Sequence, residues 1–325
     1  MDPSANLSAA AVAVRKSRLY KGESFSHWGH AAGPHHSRRT GTPQAATAKC
    51  RGADKAPAAW VDPYSAYSEC DVPAAEFDAA AAAARADLLK GKRPVAKGTA
   101  PHLLITIGAP GAGKSTVSEA VAAERGSGDY VTVDLDTAVK YHPRYRDIWA
   151  APSAVTGHPT GVGFTLTYLA CNSSLEDMLL RIYEDIVFSE GPRYNVVLQS
   201  HSQINIILAK LAGFRVTLLF VGAPLAVAQA RSRTRAVATG KFLAPNLAIQ
   251  DEVVESMWVD YRLTAAWYGM WADEFLVADN RRKAASDRAA GRAVLKHVKE
   301  VPLHCADWDD CRQAAQAAVD AACTP

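Results

Sequence analysis

The sequence predicts an α/β protein with a five-stranded, mostly parallel sheet that is covered by helices on both faces. Short apolar runs alternate with helical stretches after residue 73, and this is the pattern of consecutive βαβ units. The predicted strands are residues 102–107, 130–133, 195–198, 216–221 and 274–278. A glycine-rich loop follows the first of these strands directly, which places a ligand at the carboxyl edge of the sheet.

Composition and charge exclude several classes of protein. The 325 residues allow one large or two ordinary domains, and 49% hydrophobic residues are enough to build a core. No stretch approaches the roughly 18 apolar residues of a membrane span, and a net charge of +3 does not indicate a nucleic-acid binder. The six cysteines form no CxxC pair, which predicts free thiols in a reducing intracellular compartment, either cytoplasmic or organellar.

Residues 1–72 are predicted to form a basic, largely irregular extension before an α/β domain of residues 73–325. Residues 1–60 contain nine bases and three acids, so they carry +6 and leave −3 for the rest of the chain. A basic, serine-containing segment that is poor in acids is typical of an organelle transit peptide, and a solvated tail is the alternative. A protein partner is expected to bind through this extension.

The predicted domain begins and ends with helices. Residues 74–92 form a strong helix by propensity, ending near Gly91. A helical pattern over about 249–270 is expected to pack on the sheet through its Val, Met and Trp positions. Residues 307–322 are predicted to form the last helix, with Asp307 near its cap.

The segment GAPGAGKST fits the phosphate-binding pattern G-x-x-x-x-G-K-[ST] between a buried strand and a helix. Its glycines let backbone N–H groups point at phosphate oxygens, and the helix N-terminus adds positive potential. Lys114 is expected to reach the β- and γ-phosphates and Ser115 to bind Mg²⁺. The residues expected to bind the nucleotide, ATP or GTP, are Gly108, Ala109, Pro110, Gly111, Ala112, Gly113, Lys114, Ser115 and Thr116.

Two carboxylates follow the second predicted strand, in VDLDTAVKYHPRY. Asp134 and Asp136 are two residues apart at the edge where the phosphates are expected. One of them could support Mg²⁺ while the other receives a proton from a substrate. The alternative, in which one of them caps the next helix, is compatible with this chemistry.

Together, GAPGAGKST and VDLDTAVKYHPRY resemble the zeta toxin family, P-loop kinases that phosphorylate UDP-N-acetylglucosamine. The resemblance extends over roughly residues 80–280, from LLKGKRPV to FLVADN. It implies a three-layer P-loop NTPase-type fold in which Asp136 is the general base and Ser115 binds the metal. With Asp136 as the base, Asp134 is the carboxylate left to support Mg²⁺. The resemblance assigns substrate contacts to Asp134, His142 and an acid of the helix before the third strand, for which the candidates are Glu176, Asp177 and Glu184. Ordinary exposed helix acids are the alternative for these three.

Phosphoryl transfer also needs cations around the migrating group, and ARSRTRAVATGKFLAP supplies several. Arg231 and Arg235 are four residues apart and share a helix face. The resemblance places Arg235 on the transferred phosphate, with Arg231, Lys241 and Asn280 at the nucleotide. Arg233 is interpreted as part of a solvated face.

Two positions depart from the family pattern. Lys241 stands where a second arginine is usual, and a lysine lacks the bidentate guanidinium fork. Gln199 stands where an acid is usual, and it brings no negative charge to Mg²⁺.

The leading interpretation is therefore an ATP- and Mg²⁺-dependent kinase acting on a hydroxyl of a small molecule such as a nucleotide sugar. The alternative is a catalytically weakened nucleotide-binding protein with a structural or assembly role. A polynucleotide 5′-kinase would want a basic channel, which the −3 charge of the chain after residue 60 disfavours. In the zeta toxin family a protein inhibitor blocks the nucleotide site.

Overall fold

A computed structural model of the chain describes residues 72–125, 129–145, 172–199, 203–239, 247–281, 295, 297–303 and 307–324. The helices in these ranges are α1 (Ala74–Leu89), α2 (Lys114–Glu124), α3 (Leu135–Tyr141), α4 (Asn172–Val187), α5 (Gln203–Leu211), α6 (Leu225–Thr239), α7 (Leu247–Gly269) and α8 (Trp308–Cys323). The strands are β1 (His102–Ile107), β2 (Tyr130–Val133), β3 (Asn195–Leu198), β4 (Arg215–Gly222), β5 (Glu274–Asp279) and β6 (Val298–Val301).

These strands form one sheet in the order β2-β3-β1-β4-β5-β6. The first five are parallel, and Leu103 at the centre pairs with Val196 on one side and Val216 on the other. The predicted α/β class and the five parallel strands are confirmed. The sixth strand, antiparallel to β5, was not predicted, because the four residues VKEV are too few and too charged to stand out.

The sheet is buried on both faces because successive side chains of a strand point to opposite sides. Leu103 and Ile105 of β1 belong to a larger core that includes residues of α1 and α4. Leu104 belongs to a second core with Val117 and Val121 of α2. Helices therefore cover both faces, as the continuous apolar strands predict.

The parallel strands direct their carboxyl ends to one edge of the sheet, and this edge collects the predicted site. The phosphate-binding loop follows β1, Asp134 follows β2, Gln199 follows β3 and Asn280 follows β5. The Gln199 N–H donates to the carbonyl oxygen of Val133, which ties the ends of β3 and β2 together. The fold thus brings four distant parts of the sequence to the same place.

The cysteines differ from the expectation of free thiols. Cys311 takes part in a disulfide bond, so the prediction of a free thiol is wrong at this position, and its partner lies outside the described residues. Cys323 is free and buried against the larger core. The absence of CxxC pairs does not exclude disulfides between cysteines of other spacing.

None of the helices in the described ranges has the length and hydrophobicity that crossing a bilayer requires.

Candidate active site

The loop between β1 and α2 has a backbone that requires glycine. Gly108 and Gly111 adopt φ angles of 149° and 83°. A Cβ atom on Gly108 would lie 2.4 Å from the carbonyl oxygen of Val221, and one on Gly111 would lie 2.1 Å from that of Ala228. Both the conformation and the close approach of backbone therefore exclude larger residues. The predicted loop is held against β4 and α6.

Lys114 is the first residue of α2, and its side chain folds back over the loop. Its Nζ donates to the carbonyl oxygens of Gly108, at 2.8 Å, and Ala109, at 3.3 Å. Burial, together with the weaker effect of the positive charge of Arg235, lowers the pKa of Lys114 to about 8. The ammonium of Lys114 and the guanidinium of Arg235 are therefore close enough to repel each other. A ligand with several negative charges would relieve this repulsion.

The edge beside the loop offers hard oxygen donors. Ser115 is exposed at the start of α2, and the Gln199 side-chain amide donates to its Oγ at 3.3 Å. In the described ranges no group of three or more His, Cys, Asp or Glu residues could hold a metal by itself. Mg²⁺ commonly takes one or two protein oxygens together with phosphates and water. The Ser115 hydroxyl fits that mode of binding, and the uncharged Gln199 amide beside it would add no negative charge.

Asp134 and Asp136 sit on either side of the start of α3. Asp134 caps this helix, because its Oδ1 accepts hydrogen bonds from the N–H and the hydroxyl of Thr137, both at 2.8 Å. The capping alternative is thus confirmed for Asp134. Asp136 lies in the first turn with an exposed side chain. The cap fixes the direction in which α3 leaves β2, and it thereby sets the position of Asp136.

His142 ends α3 and is buried, with 2% of its surface exposed. Its Nδ1 accepts from the backbone N–H of Arg144, so the neutral ring carries its proton on Nε2, which lies 2.8 Å from Ser174 Oγ. Burial lowers the pKa of His142 to about 4. In the structure this ring connects α3 to α4. Its assignment to the substrate stays a prediction, as does that of Glu176, which is half-buried on α4.

The arginines of α6 have different surroundings. Arg231 Nη1 donates to the backbone carbonyl of Asn280 at 2.9 Å, whereas Arg235 is exposed near Lys114. Arg233 forms an ion pair with Asp251 on α7, so it links two helices. The second predicted cation, Lys241, lies outside the described residues.

The side chain of Asn280 supports the phosphate-binding loop by bonding to the loop backbone. The side chain is 5% exposed, and its Nδ2 donates to the carbonyl oxygen of Ala112 at 2.7 Å. A Cβ atom on Gly113 would lie 2.2 Å from the same nitrogen. The Asn280 N–H bonds to the carbonyl of Gly222 at 2.8 Å, which anchors the residue to β4. The resemblance implies that Asn280 contacts the nucleotide. The sequence does not predict its bond to Ala112, because no local pattern indicates a contact between residues 168 positions apart.

The comparisons with known proteins agree with the motifs. Residues 85–166 match the family model described as Zeta toxin. The search of curated proteins found no match.

Several solved structures are similar to the chain. One comes from the PezAT chromosomal toxin–antitoxin system of Streptococcus pneumoniae, with 16% identity, coverage of 78% of this chain and 98% of that chain, and a TM-score of 0.48. The AvrRxo1-ORF1:AvrRxo1-ORF2 complex with ATP has 15% identity, covers 76% and 83%, and has a TM-score of 0.41. A putative kinase from Chloroflexus aurantiacus has 15% identity, covers 62% and 100%, and has a TM-score of 0.33. The family match, which spans the loop and both aspartates, confirms the resemblance to the zeta toxin family over residues 85–166.

Proposed function

We propose that the chain is a P-loop phosphotransferase that moves the terminal phosphoryl group of Mg²⁺-ATP to a hydroxyl of a small molecule. The observation that carries this proposal is the Lys114 ammonium folded over the glycine-rich loop after β1, where it bonds to the Gly108 carbonyl. Ser115 and Asp136 lie at the same carboxyl edge of the sheet. The zeta toxin match of residues 85–166 supports the same class of reaction.

Each residue has a role that its position allows. The loop N–H groups and the N-terminus of α2 bind the phosphate chain. Lys114 and Arg235 balance the charge that develops on the transferred group, which is the main catalytic requirement of phosphoryl transfer. Asp136 accepts the proton of the attacking hydroxyl as its oxygen bonds to phosphorus and ADP leaves. The Ser115 hydroxyl would hold Mg²⁺, and the ion would supply charge neutralisation at the phosphates.

The acceptor we propose first is a nucleotide sugar such as UDP-N-acetylglucosamine. The support comes from the resemblance in VDLDTAVKYHPRY and from the family match, which covers this segment. The proposed acceptor contacts begin with Glu176 on α4. α4 is bound to the end of α3 through Ser174 and His142, so Glu176 and Asp136 belong to adjoining helices.

The proposal is tested by turnover of the full chain with Mg²⁺-ATP and a panel of nucleotide sugars and free sugars, with UDP-N-acetylglucosamine first. We expect ADP together with a phosphorylated form of one acceptor, identified by mass spectrometry. The rate of the Lys114→Ala variant should be lower by a factor of at least about 10², because removing one group that stabilises the developing charge has an effect of that size. ADP at equal rates from both proteins would refute the assignment.

A second candidate function is nucleotide binding without efficient catalysis, in a structural or assembly role. Gln199 favours it, because the residue that contacts Ser115 Oγ brings no negative charge to the metal. Calorimetry of ATP binding, compared with the assay of ADP formation, separates the two functions. ATP binding without ADP formation for any acceptor supports the second candidate and contradicts the first.

A further inference from the structure

An apolar surface is formed by residues that are far in sequence from the phosphate-binding loop. It consists of Val259, Leu263 and Trp267 on α7, Trp271 in the turn after α7, and Trp308 on α8, and we call it the indole face. The α7 members are four residues apart and follow one side of the helix. The three indoles contact one another edge to face, with centroids 6.2 to 6.4 Å apart.

The indole face is exposed to an extent that is unusual for such residues. Leu263 is 62% exposed, Trp308 is 47% exposed and Val259 is 43% exposed. Contiguous exposed apolar patches of this kind mark interaction sites, and tryptophan is enriched among residues that contribute most to binding. A single exposed leucine would need no such explanation.

The two helices that carry most of the indole face are acidic, and Lys210, which donates to the Trp271 carbonyl, is itself paired with Asp273. The sequences of α7 and α8 contain seven acids and only two bases. Both bases, Arg262 and Arg312, form ion pairs with aspartates of α8. Asp260 on α7 and Asp310 on α8 are exposed beside the apolar residues. A partner for this surface must therefore combine apolar side chains with positive charge.

The N-terminal sequence has this chemistry. Residues 12–21, VAVRKSRLYK, contain four bases and no acid, together with Val12, Val14, Leu19 and Tyr20. We call residues 12–21 the basic segment. We propose that the basic segment binds the indole face of its own chain, with its apolar side chains on the indoles and its bases beside the acids of α7 and α8.

The length of the intervening chain permits this contact. Fifty residues separate the basic segment from Val72. A coil of that length spans about 40 Å, which exceeds the width of about 24 Å expected for a six-stranded sheet. Covalent linkage also gives the segment an effective concentration in the millimolar range, so a weak interaction is sufficient.

The test places a photo-crosslinker on the surface of the full-length chain. Benzoylphenylalanine replaces Leu263 in one variant and Val237 of α6 in the control, because Val237 is 61% exposed and thus matched in accessibility. Val259 is a second labelling position if the Leu263 variant does not fold, as judged by circular dichroism. After irradiation, the monomeric product is digested and the crosslinked peptides are identified by mass spectrometry.

We expect crosslinks from position 263 to the basic segment, several-fold above those from position 237. They should be lost when Arg15, Lys16, Arg18 and Lys21 are all changed to Glu. They should also be lost in about 1 M NaCl, where charges are screened beyond ~3 Å. Absence of crosslinks to the basic segment, or crosslinks that survive charge reversal, would overturn the proposal. Crosslinks between two molecules would overturn it in favour of a second copy as the occupant.

Discussion

At the scale of single residues, the positive charge of the loop depends on protonation. Lys114 has a pKa of about 8 because it is buried and close to Arg235. It is therefore charged below pH 8 and becomes neutral as the pH rises through that value. A neutral amine no longer attracts the phosphates, so the affinity of the free protein for nucleotide depends on this one proton.

We predict that kcat/KM for ATP falls as the pH rises through about 8, the pKa of Lys114 in the free protein. Arg235→Ala should move this fall to higher pH, because it removes a repelling charge. Lys114→Arg should have a lower rate but no fall in this range, since arginine does not titrate there. A pH profile of kcat/KM for the three proteins checks this, and an identical fall in Lys114→Arg would contradict it.

A second prediction concerns the amide beside Ser115. Gln199→Glu places a carboxylate at the position now 3.3 Å from Ser115 Oγ, and carboxylates bind Mg²⁺ more strongly than amides. The Mg²⁺ concentration that half-saturates ATP binding should fall about tenfold, the effect of about 1.4 kcal/mol. The control is Gln313→Glu on α8, which adds the same charge on a distant helix. Equal effects of both variants would show that net charge is responsible.

At the scale of elements, the site depends on contacts between segments that are remote in sequence. The loop and its glycines are predictable, because their spacing between a strand and a helix is a local pattern. The cap of α3 by Asp134 is also local. The contact of Asn280 with Ala112 and the burial of His142 against Ser174 are set by tertiary packing, so the sequence alone gives them no signal.

We predict that Asn280→Ala weakens ATP binding by removing the donor to the Ala112 carbonyl and leaving space below Gly113. The free energy of unfolding should fall by about 1–3 kcal/mol, and the Kd for ATP should rise about tenfold. Asn195→Ala is a matched control, because this buried amide accepts from the His102 N–H at the opposite edge of the sheet. The control should lose similar stability while its Kd for ATP is unchanged. Equal Kd values for the two variants would contradict a supporting role for Asn280.

At the scale of the whole molecule, the sheet carries a polar network at the edge away from the loop. His102 begins β1, with Nδ1 2.6 Å from the Tyr130 hydroxyl and Nε2 2.8 Å from the Thr217 hydroxyl. Thr217 in turn donates to Glu274, which also pairs with Arg125. Burial is the main cause that lowers the pKa of His102 to about 4, and the positive charge of Arg125 is the second cause.

Stability should therefore decrease in mild acid. His102 and His142 both have a pKa of about 4 in the folded protein against 6.5 for the ordinary group, so unfolding takes up protons between these values. The free energy of unfolding should be highest above pH 6.5 and decrease towards pH 4. The contribution of His142 alone to this decrease is about 3 kcal/mol. Urea unfolding at several pH values measures this. His102→Asn with His142→Asn should flatten the dependence, and an unchanged slope would contradict the assignment.

The sequence predicts the fold class because long, continuous apolar strands and the loop each carry a strong pattern. It does not predict β6, whose four residues gain their pairing only from the neighbouring β5. The disulfide of Cys311 is a further property that spacing does not reveal. The sequence thus predicts features that depend on a pattern within one element. Pairings between elements are seen only in the folded structure.

The most direct test of the proposed chemistry compares the full chain with its Asp136→Asn variant. ADP formation and ATP binding are measured on the same preparations, with Mg²⁺ and the best acceptor of the panel. Because Asp136 is exposed in the first turn of α3, the exchange should preserve the fold and the Kd for ATP. We predict that turnover falls by at least about 10², the contribution of a general base. Normal turnover with weakened ATP binding would contradict the account.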